Sequence, residues 1–194
     1  SKLHGFHALA PRRTAEGEKG KGGEGASEEG LRLQRGPAFG KTPYPRAKSQ
    51  NPTDWPTFRH DNGRSGHARQ EMPLKLEPAW RTKLRGNLTS LVSTEGKVFV
   101  AQSDEHAVFC MDAGDGKILW RYQAGGRVDS PPSIANGIAV FGCSDGWVYA
   151  LRTTDGALVW RFRAAPDDLR LVEMDQVASV WPVHGSVLIE DGKV

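Results

Sequence analysis

Four residues have side chains that together could hold a ligand: Arg127, Asp129, Trp181 and His184. An arginine supplies a permanent cation, a tryptophan a flat stacking face, a histidine a ring N–H and an aspartate a carboxylate acceptor. Such a set suits an anionic, aromatic molecule. The same residues have a purely structural reading, in which Arg127 pairs with Asp129 or a neighbouring carboxylate and Trp181 packs. No catalytic residue and no metal ligand is predicted. Cys110 and Cys143 stand apart and read as small buried apolar side chains in strands. His60 and His106 read as surface hydrogen-bonding groups without partners at metal-ligand spacing. The patterns G-x-x-x-x-G-K-[ST], H-E-x-x-H and G-x-S-x-G do not occur. Gly63-Arg64-Ser65-Gly66 and Gly125-Gly126-Arg127 precede no helix, so they read as turns rather than phosphate loops.

The elements that must carry these residues come from a repeat. Trp80, Trp120 and Trp160 recur every 40 residues, each followed by Arg. The run from Val108 to Trp120 aligns with the run from Val148 to Trp160, and an Asp-Gly pair lies four residues before each of these tryptophans. Glu95-Gly96-Lys97-Val98 echoes Asn136-Gly137-Ile138-Ala139, and a third copy opens at Glu190-Asp191-Gly192-Lys193. Asn-Gly and Asp-Gly pairs are hairpin signals, because glycine reaches positive φ without a Cβ clash. Between them lie runs of Val, Ile, Phe, Tyr and Trp of strand length. Four short strands in about 40 residues is the pattern of a propeller blade. The predicted fold is therefore all-β: a partial β-propeller of two to three four-stranded blades behind a disordered N-terminal tail. Leu169 to Val180 is the one stretch that reads as a weak helix or, equally, as a surface loop. It belongs to an excess between Ala165 and Val180 that a hairpin does not need, and long insertions on one face often carry function.

The pattern Ala-x-x-x-x-x-Gly-x-x-x-Trp closes each unit. Ala150, Gly156 and Trp160 match it fully; Gly116 and Trp120 match it with Cys110 in place of Ala. It resembles the tryptophan-docking motif of the pyrroloquinoline-quinone (PQQ) type β-propeller repeat. The stretch Asp54-Trp55-Pro56-Thr57-Phe58-Arg59-His60-Asp61-Asn62-Gly63 resembles the lead-in before the first blade of the same superfamily. The resemblance implies that Trp120 and Trp160 lie between neighbouring blades near a motif glycine. Truncating Trp160 would then cost about 3–5 kcal/mol, and truncating Trp147, which lacks the motif, less. It also implies that the entries to the innermost strands, Arg127 to Pro132 and Ser179 to Ser186, converge at the mouth of the central channel. Trp80 reads as part of an outermost strand that completes the last blade.

The superfamily includes cofactor-free propellers, such as outer-membrane assembly lipoproteins that bind polypeptides, and quinoprotein dehydrogenases that hold PQQ and Ca²⁺. Fold does not choose between them. The chain has no adjacent cysteine pair and no evident cluster of oxygen ligands for calcium. The expectation is a non-catalytic scaffold for protein or ligand binding, with part of a PQQ-dependent dehydrogenase as the alternative. No cofactor is expected in this stretch; PQQ with calcium belongs only to a complete propeller. The expected partners are the other blades of the same propeller and polypeptides.

Composition sets the outer bounds. Of 194 residues 38% are hydrophobic, and mean hydropathy is −0.52. The longest apolar runs fall far short of the roughly 18 residues that a membrane span needs. Residues 1–50 carry ten Lys and Arg against five Asp and Glu, so the formal net charge of +3 belongs to this segment. Interleaved glutamates dilute it, and no nucleic-acid role is expected. Residues 15–30 contain nothing apolar larger than Ala, too little to offset the entropy of ordering. The domain reading is a disordered Gly/Glu/Lys-rich tail at 1–50, an extended lead-in at 51–79 and propeller repeats at 80–194. No signal peptide is visible, and a periplasmic or envelope location is implied by the resemblance alone. From Trp80 to Val194 there is room for fewer than three blades, whereas closed propellers use about four to eight, so a longer protein is expected.

Overall fold

Turn chemistry divides the chain into strands, and the same turns recur in each unit. The computed structural model describes residues 32–41, 51, 53–68, 71, 74–173 and 175–194. A short first strand, β1 (Leu33–Arg35), precedes two blades. The first blade comprises β2 (Val92–Thr94), β3 (Lys97–Gln102), β4 (Ala107–Asp112) and β5 (Ile118–Gln123). The second comprises β6 (Ser133–Ala135), β7 (Ile138–Gly142), β8 (Trp147–Arg152) and β9 (Leu158–Arg163). Each blade is an antiparallel meander in chain order, so the fold is an all-β partial propeller.

The first hairpin of each blade turns on two residues with positive φ: Glu95 and Gly96 at 52° and 71°, Asn136 and Gly137 at 52° and 72°. Both angles positive make a type I′ turn, whose twist matches that of the strands. In the last hairpin the Gly116 N–H donates to Asp112 O at 3.0 Å, and the Gly156 N–H to Arg152 O at 2.9 Å. A register shift after Cys110 recurs after Ala150. Cys110 lies across from Trp120, and Ala150 from Trp160.

The core lies between blades rather than within one. One cluster joins Phe99, Val108 and Cys110 of the first blade to Phe141, Tyr149 and Leu151 of the second. A second cluster joins Val140, Ala150 and Val159 to Val187, Ile189 and Val194, the opening of the third unit. Tryptophans lock these layers one unit ahead of themselves. The indole of Trp80 donates to Ala113 O at 2.8 Å, and that of Trp120 to Thr153 O at 3.0 Å. Their rings lie on Gly116 and Gly156, where a Cβ would come within 2.3 and 2.8 Å of ring atoms. Only glycine leaves room for that approach.

Several expectations need correction. Trp80 belongs to no strand; it enters the first blade as a docked side chain. Trp160 is half-buried on β9 across from Arg35, with no motif glycine beneath it among the described residues. Trp147 is 9% exposed in the inter-blade core, with the Arg161 guanidinium 4.4 Å over its ring, so it matters more than its lack of a motif implied. The stretch from Leu169 to Val180 is neither helix nor loop. It forms a hairpin, β10 (Arg170–Glu173) and β11 (Gln176–Ser179), because Val172 and Val177 pair across strands and Asp175 takes the positive φ of the turn. Within the N-terminal segment, β1 pairs with β9 as a fifth strand of the second blade's sheet. The Gly/Glu-rich stretch at 15–30 lies outside the described residues.

The lead-in is a strap across the inner strands of successive units. Trp55 exchanges both backbone hydrogen bonds with Ser93 of β2, at 2.7 and 2.9 Å. Pro56 O accepts from the Ile134 N–H of β6 at 2.7 Å. Further along, Arg64 donates to Thr57 Oγ1, Phe58 O and both oxygens of Ser186, and Asn62 donates to Ile189 O.

Trp120 is 8% exposed and bonded across blades. Trp120→Ala is expected to lower unfolding stability by about 3–5 kcal/mol, the range for truncating a large buried aromatic. Trp160→Ala is expected to lower it by less than half as much. Urea unfolding of both variants, followed by far-UV circular dichroism, checks the order.

Candidate functional site

The segment after β5 turns back to the inner strand β6 through Ala124-Gly125-Gly126-Arg127. Gly125 and Gly126 lie close against the β7–β8 loop: a Cβ on the first would meet Asp145 Oδ2 at 2.3 Å, and on the second Ser144 Oγ at 2.7 Å. This close approach sets Arg127 beside the loop between β7 and β8, where the Ser144 N–H donates to Arg127 O at 2.9 Å. The hairpin β10–β11 comes in from the other side, anchored by the Ser179 N–H on Ser144 O at 2.7 Å and the Val183 N–H on Cys143 O at 3.0 Å. Gly142 and Gly146 admit it, since side chains there would meet Val183 and Ser179.

Between these elements lies a depression of about 160 Å³. Arg127, Asp129, Ser144 and His184 line one side, and Glu173, Gln176 and Ala178 of the hairpin the other. Three of the four residues singled out in the sequence therefore meet. Arg127 Nε and Nη2 donate to Asp129 Oδ1 at 3.2 and 3.1 Å, and Nη1 donates to Asp104 Oδ1. The His184 ring, through Nδ1, lies 3.1 Å from Asp129 Oδ2. Trp181 does not join them. It is solvent-exposed, its backbone N–H bonds Ser179 Oγ at 3.1 Å, and it lies outside the depression.

The electrostatics are those of a closed ion-pair cluster. Burial works against the Arg127 charge, but the carboxylates of Asp129 and Asp104 outweigh it and hold its pKa above the ordinary value. The Asn87 amide, and after it Arg127, hold the Asp104 carboxyl below its usual range. The one lining cation is thus already met by two carboxylates, and Glu173 adds a third negative charge. An anionic quinone would find neither a free cation nor a stacking face here. The residues present do not fit PQQ.

Asp104, Gln176 and Glu173 were missed as site residues. Asp104 lies one repeat before Ser144, at the matching hairpin tip, and that spacing was the available signal. Gln176 came into view only with the hairpin: its Oε1 lies 2.9 Å from His106 Nε2. His106 takes a φ of 54° where the next blade has Gly146 at 86°. Next to Gly125, Asp145 is buried and accepts from the Trp147 N–H at 3.1 Å and from the Tyr149 hydroxyl at 2.5 Å. Burial pushes the Tyr149 phenol upward, so it remains a donor. Burial likewise raises the Cys110 thiol to about 12 and drives Cys143 up, and protonated thiols are poor nucleophiles.

The depressed Asp104 pKa has a pH signature. A carboxyl whose folded pKa lies below its unfolded value contributes stability above the unfolded pKa, and that contribution disappears as pH falls through the folded value. Asp104→Asn is expected to flatten the stability–pH curve below the ordinary value of 3.8 and to leave its shape above pH 5 unchanged. Thermal melts from pH 2 to 7 at low salt test this.

A comparison with curated protein sequences found no match. Among solved structures, the chain is similar to the quinohemoprotein alcohol dehydrogenase ADHIIG from Pseudomonas putida HK5, at 19% identity and a TM-score of 0.51, over 60% of this chain and 20% of that one. It is similar to the quinohemoprotein alcohol dehydrogenase from Comamonas testosteroni, at 21% identity and a TM-score of 0.50, over 57% of this chain and 19% of that one. BamB from Moraxella catarrhalis is 24% identical over 48% of this chain and 32% of that one, with a TM-score of 0.39. The chain thus spans about a fifth of each dehydrogenase, and the likeness bears on fold alone. The family model described as outer membrane protein assembly factor BamB matches residues 75–194, more than half of the sequence, and the chain belongs to that family of PQQ-type β-propeller repeats.

Proposed function

We propose that this stretch of propeller is a non-catalytic scaffold that binds an extended polypeptide at the axial mouth. The observation that carries the reading is the hairpin β10–β11 beside the depression. Val172 and Val177 face each other across its strands, 75% and 53% exposed, with Leu169 and Leu171 exposed nearby. An apolar row of this kind, rimmed by polar groups, marks a protein-interaction surface. The cluster of Arg127, Asp129 and His184 next to it offers hydrogen-bonding groups whose charges are already paired. They can orient a peptide backbone without demanding a counter-charge. The same reading puts the work of the protein in the cell envelope, because its family model is that of an outer membrane assembly factor. No described helix is long and apolar enough to cross a membrane.

The alternative, part of a quinone-dependent dehydrogenase, would require cations directed at an anionic cofactor. Arg127 is committed to Asp104 and Asp129 instead.

Titration of the chain with extended peptides of alternating apolar and polar residues is expected to give binding that Val172→Asp or Val177→Asp weakens about tenfold. Titration with PQQ and Ca²⁺ is expected to give no dye-linked oxidation of alcohols or sugars. Tight quinone binding with turnover would overturn the scaffold reading.

A further inference from the structure

The two blades are equivalent in sequence and turn geometry, yet their outermost strands meet different surroundings. The edge of β9 is covered by residues 32–41, with β1 pairing Leu33 to Phe162, Gln34 to Arg161 and Arg35 to Trp160. The Gly36 and Ala38 N–H groups continue the ladder onto Val159 O and Leu158 O at 2.9 and 3.1 Å. Arg32 donates to the carbonyls of Arg163 and Ala164, both at 2.9 Å, and lies 5.0 Å over the Phe162 ring. Arg161 donates to Gln34 Oε1 at 2.7 Å. Ala38 is buried in the core cluster of that blade, and Phe39 packs against it. Gly36 is obligatory, since a Cβ there would come within 2.1 Å of Leu158 O.

Each group that reads this segment has a counterpart on β5. Leu158, Val159, Trp160, Arg161 and Phe162 correspond to Ile118, Leu119, Trp120, Arg121 and Tyr122. The remaining contacts go to backbone carbonyls, which are independent of side-chain identity. Among the described residues no strand pairs with the outer edge of β5. The effect on burial is direct: Val159 is 0% exposed, whereas Leu119 at the same position is 44% exposed and Ile118 beside it 42%. An open edge with apolar side chains alongside its free backbone groups is a template for strand addition.

We propose that the outer edge of β5 is a strand-addition site for an extended polypeptide segment of the chemistry of residues 32–39: a basic residue, an apolar residue, a glutamine and a second basic residue, then glycine, any residue, alanine and an aromatic. The occupant is a segment of another polypeptide, because residues 32–39 here already fill the edge of β9. The site lies at the opposite end of the blade from the axial mouth and is independent of what binds there.

The probe is a synthetic, end-blocked peptide of residues 31–41 added to the full chain, read by hydrogen exchange and fluorescence titration. The expected result is saturable binding with amide protection across residues 118–123. Leu119→Asp should weaken it at least about tenfold, whereas Leu119→Val, which copies β9, should keep it within about threefold. A peptide carrying Gly36→Val should not bind, because its side chain meets a backbone carbonyl. Protection confined to β9, which reports exchange with the chain's own segment, or no protection at either edge, overturns the proposal. Binding that Leu119→Asp leaves unchanged, in a variant whose circular dichroism matches the parent, overturns it as well.

Discussion

A four-stranded sheet of this kind has two faces, and both need cover. The tryptophan that reaches forward one unit to lie on a turn glycine answers that constraint, and the rest of the structure follows from it. The ring of Trp120 fills the space that a Cβ at Gly156 would take, and its N–H satisfies the Thr153 carbonyl in the same layer. One residue thereby sets the separation of two blades and their relative height. Trp80 does the same for the first blade from a segment with no strand of its own. Because the first blade supplies a ring forward through Trp120 and a glycine backward through Gly116, stability is shared between neighbours, as in other repeat architectures.

The lead-in solves a second problem, the inner edges. The inner strands β2 and β6 have three residues each and would leave backbone groups near the axis without partners. The strap from Asp54 to Arg64 supplies them and ties successive units together, with Asp54 also accepting from Thr94 Oγ1 at 2.8 Å. Its course requires positive φ at Arg59, His60 and Arg64, none of them glycine. Asp61 stabilises that bend by accepting from the Ser65 hydroxyl and N–H, which hold its carboxyl at about 2. The strain and its compensation thus lie in one loop.

The charges around Arg127 tie neighbouring loops together. Arg127 bridges Asp104 from the first blade and Asp129 on the way into the second, so it links the tip of one hairpin to the entry of the next strand. His184 extends the chain of contacts to the segment that opens the third unit. A cation shared in this way fixes three loops at once. The hairpin β10–β11 beside it exposes Leu171, Val172 and Val177.

The repeat period determined the strand order, the hairpin turns and the docking glycines in advance, because all of them depend on local chemistry. Asn136-Gly137 must turn, and Gly156 four residues before Trp160 is legible wherever it stands. Arg127, Asp129 and His184 were legible as neighbours for the same reason: each enters an inner strand at an equivalent point. What tertiary structure decided are the contacts that no period specifies. Trp181 turned outward because Ser179 and Val183 anchor on the β7–β8 loop on either side of it. The stretch from Leu169 to Val180 carries apolar residues at spacings that suit helix and strand alike, and its own cross-strand pairs settled it as a hairpin. Residues 32–41 gave no strand signal, being short and basic. They became a strand because β9 offered an unfilled edge, and Gly36 alone allowed the backbone to come close enough to take it.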